Sequence, residues 1–302
     1  MKRTKVRSTD GTNSFFMKLA ATLLSALFAL FTNAFAQPDK ALLYEVTGKN
    51  LTAPSYLYGT FHLVCPADLV ITDAMKKAVT DTKQLYLEVD MDDPSLQATM
   101  MQGLMFTNGK TIKDYVSPAD YTLLDTYLQK NSGMSLAALT AIKPIGLYSF
   151  LTVSALGCQP ASYDMTLMQL ASKDKKEVLG LETIQDQMAV FEKIPMEKQV
   201  AMLVEMARKP DEAKQELANM LAAYKAQDLA LMMKQMKDSK YDGLEDFEAD
   251  LLEKRNQNWI PVIEKAATAR PTFFAFGAGH LGGDKGVIAL LRKQGYSVKA
   301  VR

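Results

Sequence analysis

Stretches of this chain able to pair as β-strands lie at its two ends, separated by a long block of helical pattern, so any sheet must be assembled from distant pieces. Residues 41–46 (ALLYEV) and 55–61 (SYLYGTF) flank a turn at Gly48-Lys49-Asn50 and read as a hairpin. Residues 84–89 (QLYLEV) make a third strand that carries Glu88 near its C-terminal end. Towards the other end, residues 272–276 (TFFAF) are apolar without alternation, which suits a central strand covered on both faces, and residues 296–301 (YSVKAV) alternate. From about residue 94 to 240, Met, Leu and Ala recur at helical spacing between breakers such as Pro118, Pro144 and Pro195; only residues 177–181 (EVLGL) read as a strand there. Further helices are expected at 66–81, 244–269 and 286–293, with Pro261 kinking or interrupting the second. The class predicted is α/β (α+β). It is one domain, residues 37–302, with a mixed central sheet built from both ends of the mature chain, flanking helices and a large helical insertion at about 94–240.

The first 36 residues carry a different signal. Lys2, Arg3, Lys5, Arg7 and Lys18 precede an apolar run, residues 19–31, that falls short of the roughly 20 residues needed to span a bilayer. Ala34-Phe35-Ala36 follows as a small-x-small cleavage pattern. Together they predict a signal peptide over 1–36, cut near Ala36-Gln37, and a periplasmic or secreted product; the other reading is an uncleaved N-terminal anchor. Of the 35 Lys and Arg and 34 Asp and Glu, this segment holds five and one, leaving 30 against 33 and a net charge of −3. No basic patch with interleaved aromatics remains, so nucleic acid is not an expected partner. No later apolar run is long enough for a membrane span. In an oxidising compartment the two cysteines, Cys65 and Cys158, are disulfide candidates; two buried thiols, or Cys65 as a metal ligand close to His62, are the other possibilities.

Both histidines of the chain occupy matching contexts. Gly59-Thr60-Phe61-His62 and Gly277-Ala278-Gly279-His280 each follow a predicted strand, where α/β folds build their sites. Glycine lets the backbone turn or approach a ligand closely, and histidine donates, accepts or ligates. A single Gly-x-x-His is common and its imidazole usually serves the fold. Two that hold all the imidazoles of a chain at strand ends point to one shared site. Glu88, inside an apolar strand, either faces solvent or needs a partner or a metal. Two imidazoles and a carboxylate form the donor set that holds a catalytic divalent ion, with Glu88 as ligand or general base. The groups at Met100, Met101, Met105 and at Met232, Met233, Met236 read as packing, and Trp259 as a core anchor. No Gly-x-Ser-x-Gly or phosphate-loop motif occurs, which argues against serine hydrolases and nucleotidases.

Tyr58-Gly59-Thr60-Phe61-His62, Leu87-Glu88-Val89-Asp90 and Gly277-Ala278-Gly279-His280-Leu281 resemble signature blocks of the TraB/GumN family, which includes the Tiki metalloproteases. Ser162-Tyr163-Asp164, Gly180-Leu181-Glu182-Thr183 with Gln187, and Arg255-Asn256 extend the resemblance over essentially the whole mature chain. It implies a fold similar to erythromycin-esterase and ChaN-type proteins. For the Tiki branch it also implies a metal-dependent peptidase with a divalent ion, manganese or cobalt, with zinc as a further candidate. By that resemblance His62, Glu88 and His280 form the core of the site. Arg255 is a basic residue able to clamp a carboxylate or a developing oxyanion, and Asp164 an orienting residue or extra ligand. Gly59, Gly277, Glu182 and Asn256 support them. The expected function is an exported metal-dependent hydrolase acting on a peptide or protein. The rival is a non-catalytic envelope protein that binds or sequesters a peptide, haem or metal, or serves a structural role.

Overall fold

The computed structural model describes residues 40–239 and 247–302, so the expected signal segment lies outside the described residues. Six strands form one mixed sheet in the order β4-β3-β5-β2-β1-β6. They are β1 (Leu43–Thr47), β2 (Ser55–Thr60), β3 (Gln84–Leu87), β4 (Glu177–Gly180), β5 (Thr272–Gly277) and β6 (Ser297–Ala300), each within a residue or two of its expected place. The predicted hairpin forms: β1 and β2 pair antiparallel with Leu43 opposite Tyr58, and β6 closes the edge antiparallel to β1. The pairs β2–β5, β3–β5 and β3–β4 are parallel. Parallel neighbours need long crossovers, and the helical segments supply them.

Helices cover both faces. On one side Phe273 and Ala275 of β5, with Tyr58 and Leu85, pack against α1 (Asp73–Asp81), α5 (Tyr163–Lys173) and α8 (Pro210–Lys225). On the other, Phe274 and Phe276 pack with Leu57 against α10 (Lys254–Ala269) and α11 (Val287–Lys293). Alternate residues of one strand thus enter two cores, which is why its sequence shows no polar alternation. A third core lies within the helical region. There Leu124 and Leu128 of α3 (Pro118–Ser132) meet Leu147 and Leu151 of α4 (Pro144–Leu156) and Leu203 of α7 (Met196–Arg208). The region between β3 and β5 also includes α2 (Leu96–Leu104), α6 (Ile184–Phe191) and α9 (Leu229–Asp238), and among the described residues it returns to the sheet once, through β4.

Three expectations change. The helix expected over 66–81 is a short 3-10 turn, Pro66–Asp68, followed by extended backbone and then α1, which Thr72 caps by accepting from the Met75 N–H. The break is tertiary: the Tyr163 hydroxyl takes the Val70 N–H and donates to the Asp68 carbonyl. Of the kink or interruption expected at Pro261, the interruption does not occur: α10 runs through it. Both Pro261 and Gln257, whose carbonyl loses its helical partner, are exposed, so water can satisfy the freed group. Met100 and Met101 are exposed, whereas Met232 is core and Met233 and Met236 pack over Gly282 and Gly279.

Candidate functional site

Each of the four adjacent parallel strands delivers one side chain just beyond its C-terminal end: Glu182 after β4, Glu88 after β3, His280 after β5 and His62 after β2. The carboxyl ends of parallel strands share one edge of a sheet, and there the two ends of the chain meet. Nε2 of His62 lies 3.8 Å, and Nε2 of His280 4.0 Å, from the same oxygen, Oε1 of Glu88. The side chains of Glu88 and His280 are only 7% and 5% exposed, while that of His62 is 65% exposed and forms the solvent face.

Local backbone sets each of these groups. The Gly277 N–H donates to Oε1 of Glu88 at 2.8 Å. A Cβ on Gly277 would stand 3.3 Å from both Glu88 Oε1 and His62 Nε2, so a side chain there would push these two atoms by a few tenths of an ångström. Gly59 serves the packing beneath: a Cβ there would stand 2.6 Å from Leu281 Cδ1 and 3.0 Å from Ala278 Cα. Asn256 donates Nδ2 to the Lys285 carbonyl and turns Oδ1 to Nδ1 of His280 at 2.6 Å. Nδ1 therefore carries the proton and Nε2 keeps a lone pair directed into the cluster, an assignment made from the network.

Arg255 joins Glu88, His280 and Glu182. It donates through Nη2 to Glu88 Oε2 at 2.6 Å, through Nη1 to His280 Nε2 at 3.1 Å and to the Leu251 carbonyl at 3.0 Å. Its Nε and Nη2 grip Glu182 at 2.7 to 3.1 Å. Glu182 also accepts from Trp259 Nε1 at 3.1 Å, and Gln187 Nε2 bridges Glu88 at 3.1 Å and Glu182 at 3.3 Å. Trp259 is the core anchor expected of it, fully buried. It is more besides, because its ring also lies 4.4 Å from that of His280. Gln187 and the indole N–H of Trp259 are the partners that sequence reasoning gave no role; the trace was the place of Gln187 in the family-like block that contains Glu182.

Asp164, in the first turn of α5, faces Nδ1 of His62 at 3.6 Å. Two links hold the His62 loop to the segment leading into Asp164: an antiparallel bridge, Val64 to Ala161, and the Cys65–Cys158 disulfide. The cysteines are therefore neither free thiols nor metal ligands in this structure.

Burial disfavours the charges of Glu88, His280, Arg255 and Glu182, and the partners decide which of them survive. Against burial, His62, His280, Arg255 and the Gly277 N–H hold the Glu88 carboxyl well below the usual range. Burial drives His280 down to about 3, with Arg255 and His62 adding to it. His62, on the solvent face, is raised to about 9 by its neighbours Asp164 and Glu88. Burial raises Glu182 despite Arg255.

Linkage gives the signs. The depressed His280 contributes stability above its ordinary 6.5 that is lost as pH falls towards 3, and Glu88 adds a further loss below its ordinary 4.5. The raised His62 contributes below 6.5 and loses its part as pH rises to about 9. Melting curves between pH 4 and 9 are expected to peak near neutrality, and His280→Gln to flatten the limb between pH 6.5 and 4.5. An unchanged acid limb in that variant would exclude a buried neutral His280 as its source.

The donors suit a divalent ion in kind: two imidazole nitrogens and a carboxylate oxygen, one imidazole already fixed in tautomer. Bonds of 2.0–2.1 Å in a tetrahedral site put neighbouring donors about 3.4 Å apart. The 3.8 and 4.0 Å separations leave this set slightly open. Among the described residues no group of three or more His, Cys, Asp or Glu is arranged to hold a metal; the cation against this cluster is Arg255.

Residues 42–300 match the TraB/PrgY/gumN family. The metalloprotease TIKI1 of Danio rerio is 22% identical over 303 aligned residues, covering 82% of this chain and 60% of that protein. The metalloprotease TIKI2 of Xenopus tropicalis is 22% identical over 302, covering 82% and 57%. The chain thus spans about three fifths of the length of these curated relatives. No solved structure matches it. With a match that runs from the first strand to the last, the chain belongs to the TraB/PrgY/gumN family.

Proposed function

We propose that this chain is an exported, metal-dependent hydrolase that cleaves peptide or protein substrates. The observation that carries the reading is the convergence of His62 Nε2 and His280 Nε2 on Oε1 of Glu88 at the ends of adjacent parallel strands. Relatives named as metalloproteases support it. His62, His280 and Oε1 of Glu88 are the groups to hold the ion, and manganese, cobalt and zinc all accept such a set. A divalent ion bound there supplies Lewis acidity toward an amide carbonyl and toward water. The chain's own residues do the rest. Gly277 and Gln187 fix the Glu88 carboxylate, Asn256 keeps the His280 lone pair inward, and Asp164 orients His62 on the face open to substrate. Arg255, with its donors already engaged, neutralises two buried carboxylates rather than clamping a substrate carboxylate. Export is supported by the N-terminal charge and apolar pattern and by the disulfide. Among the described residues no helix is long and apolar enough to cross a membrane.

One observation favours the rival, a non-catalytic binder of the same fold: Arg255 already satisfies Glu88 without an ion. Incubating the mature chain with a peptide library and Mn²⁺ or Co²⁺ separates the two. Cleavage lost in Glu88→Gln supports the hydrolase; peptide retained without turnover overturns it in favour of the binder.

A further inference from the structure

The inner side of the cluster is filled by a cation that belongs to the chain. A guanidinium has five N–H donors, and those of Arg255 are all spent. Nε reaches both Glu182 oxygens, Nη1 the Leu251 carbonyl and His280 Nε2, and Nη2 Glu88 and Glu182. These contacts fall into two groups. Glu182, Leu251 and Oε2 of Glu88 lie outside the donor set, whereas Nε2 of His280 is one of its three members. A ring nitrogen has one lone pair, so Nε2 of His280 serves the guanidinium or an ion, never both.

We propose that Arg255 is a built-in competitor for the metal: an ion enters only as the guanidinium releases His280 Nε2, while Oε2 of Glu88, Glu182 and the Leu251 carbonyl retain it. This rests on the metal-binding reading of the site. One feature makes the retained anchor firm: Trp259 and Gln187 fix Glu182 independently of Arg255. The Leu251 carbonyl belongs to a π-helical stretch, Ala249–Glu253, directly before α10, and such stretches recur at functional sites. The metal-free protein is therefore electrostatically complete, and its ion affinity is lower than its donors alone would give.

Two measurements on the folded mature chain test this. The first is Mn²⁺ and Zn²⁺ affinity by calorimetry in wild type and in Arg255→Met/Glu182→Gln, which removes one charge of each sign and leaves the net charge unchanged. The variant is expected to bind about tenfold tighter or more, because one charge-assisted hydrogen bond no longer has to be broken. Equal or weaker binding with the fold retained overturns the competition and leaves the metal reading standing. Binding by neither protein overturns both. The second measurement needs no variant: nitrogen NMR of the His280 ring and the Arg255 guanidinium during a Zn²⁺ titration. The two sets of signals should move together. Movement of His280 Nε2 with Arg255 unaffected would overturn the proposal even if the double variant failed to fold.

Discussion

Replacing Arg255 with methionine alone is expected to cost about 3–5 kcal/mol of stability, seen as a fall of roughly 10 °C in the thermal midpoint. The size follows from what is left behind. Glu88 and Glu182 are buried and share this one guanidinium, which makes charge-assisted bonds of 2.6 and 2.7 Å to them. Removing one partner of a buried ionic group strands the other charges in a medium that solvates them poorly, and that costs more than the pair is worth. Neutralising Glu182 in the same chain should recover most of the loss, because a glutamine there still accepts from Trp259 and leaves Glu88 with Gly277, Gln187 and His62. Denaturation of the two single variants and the double makes the comparison a cycle. Additive losses would show that Arg255 and Glu182 stabilise the fold independently.

Removing the Cys65–Cys158 disulfide is expected to cost about 4–5 kcal/mol in the chain-entropy picture, since the bridge closes a loop across a sequence separation of 93. The functional consequence is local. Cys65 lies three residues beyond His62 and Cys158 six before Asp164, with the Val64–Ala161 bridge between. The double serine variant should therefore lose the carboxylate contact that raises His62, and the imidazole should titrate closer to 6.5 than to about 9. Urea unfolding of oxidised and reduced protein measures the first effect and histidine NMR the second. A stability difference below about 1 kcal/mol would mean that other contacts already fix this loop.

Much of the sheet was legible because its signals are local. The unbroken apolar run of β5 announced burial on two faces, and the Gly-x-x-His turns marked where β2 and β5 end. Glu88 was visible as a charge in an apolar strand, although only the fold shows that it points inward to Gly277 and Arg255. Glu182 was underrated: it follows the short β4, whose place beside β3 is a pairing across some ninety residues that no local pattern encodes. Gln187 and the Trp259 indole become partners only through the meeting of α6 and α10 at Glu182. The broken helix after Pro66 has the same cause, a hydroxyl from α5 that competes for its backbone groups. What the chain encodes locally could be read; what depends on which elements meet could not.

The central claim is that residues from both ends of the chain build one ion-binding site. Its most direct test is the metal content of purified protein, residues 37–302, after equilibration with Mn²⁺, Co²⁺ or Zn²⁺, in wild type and in folded His62→Ala and His280→Ala. One ion per chain, lost in both variants, is the predicted result. Unchanged metal content in either variant would contradict it.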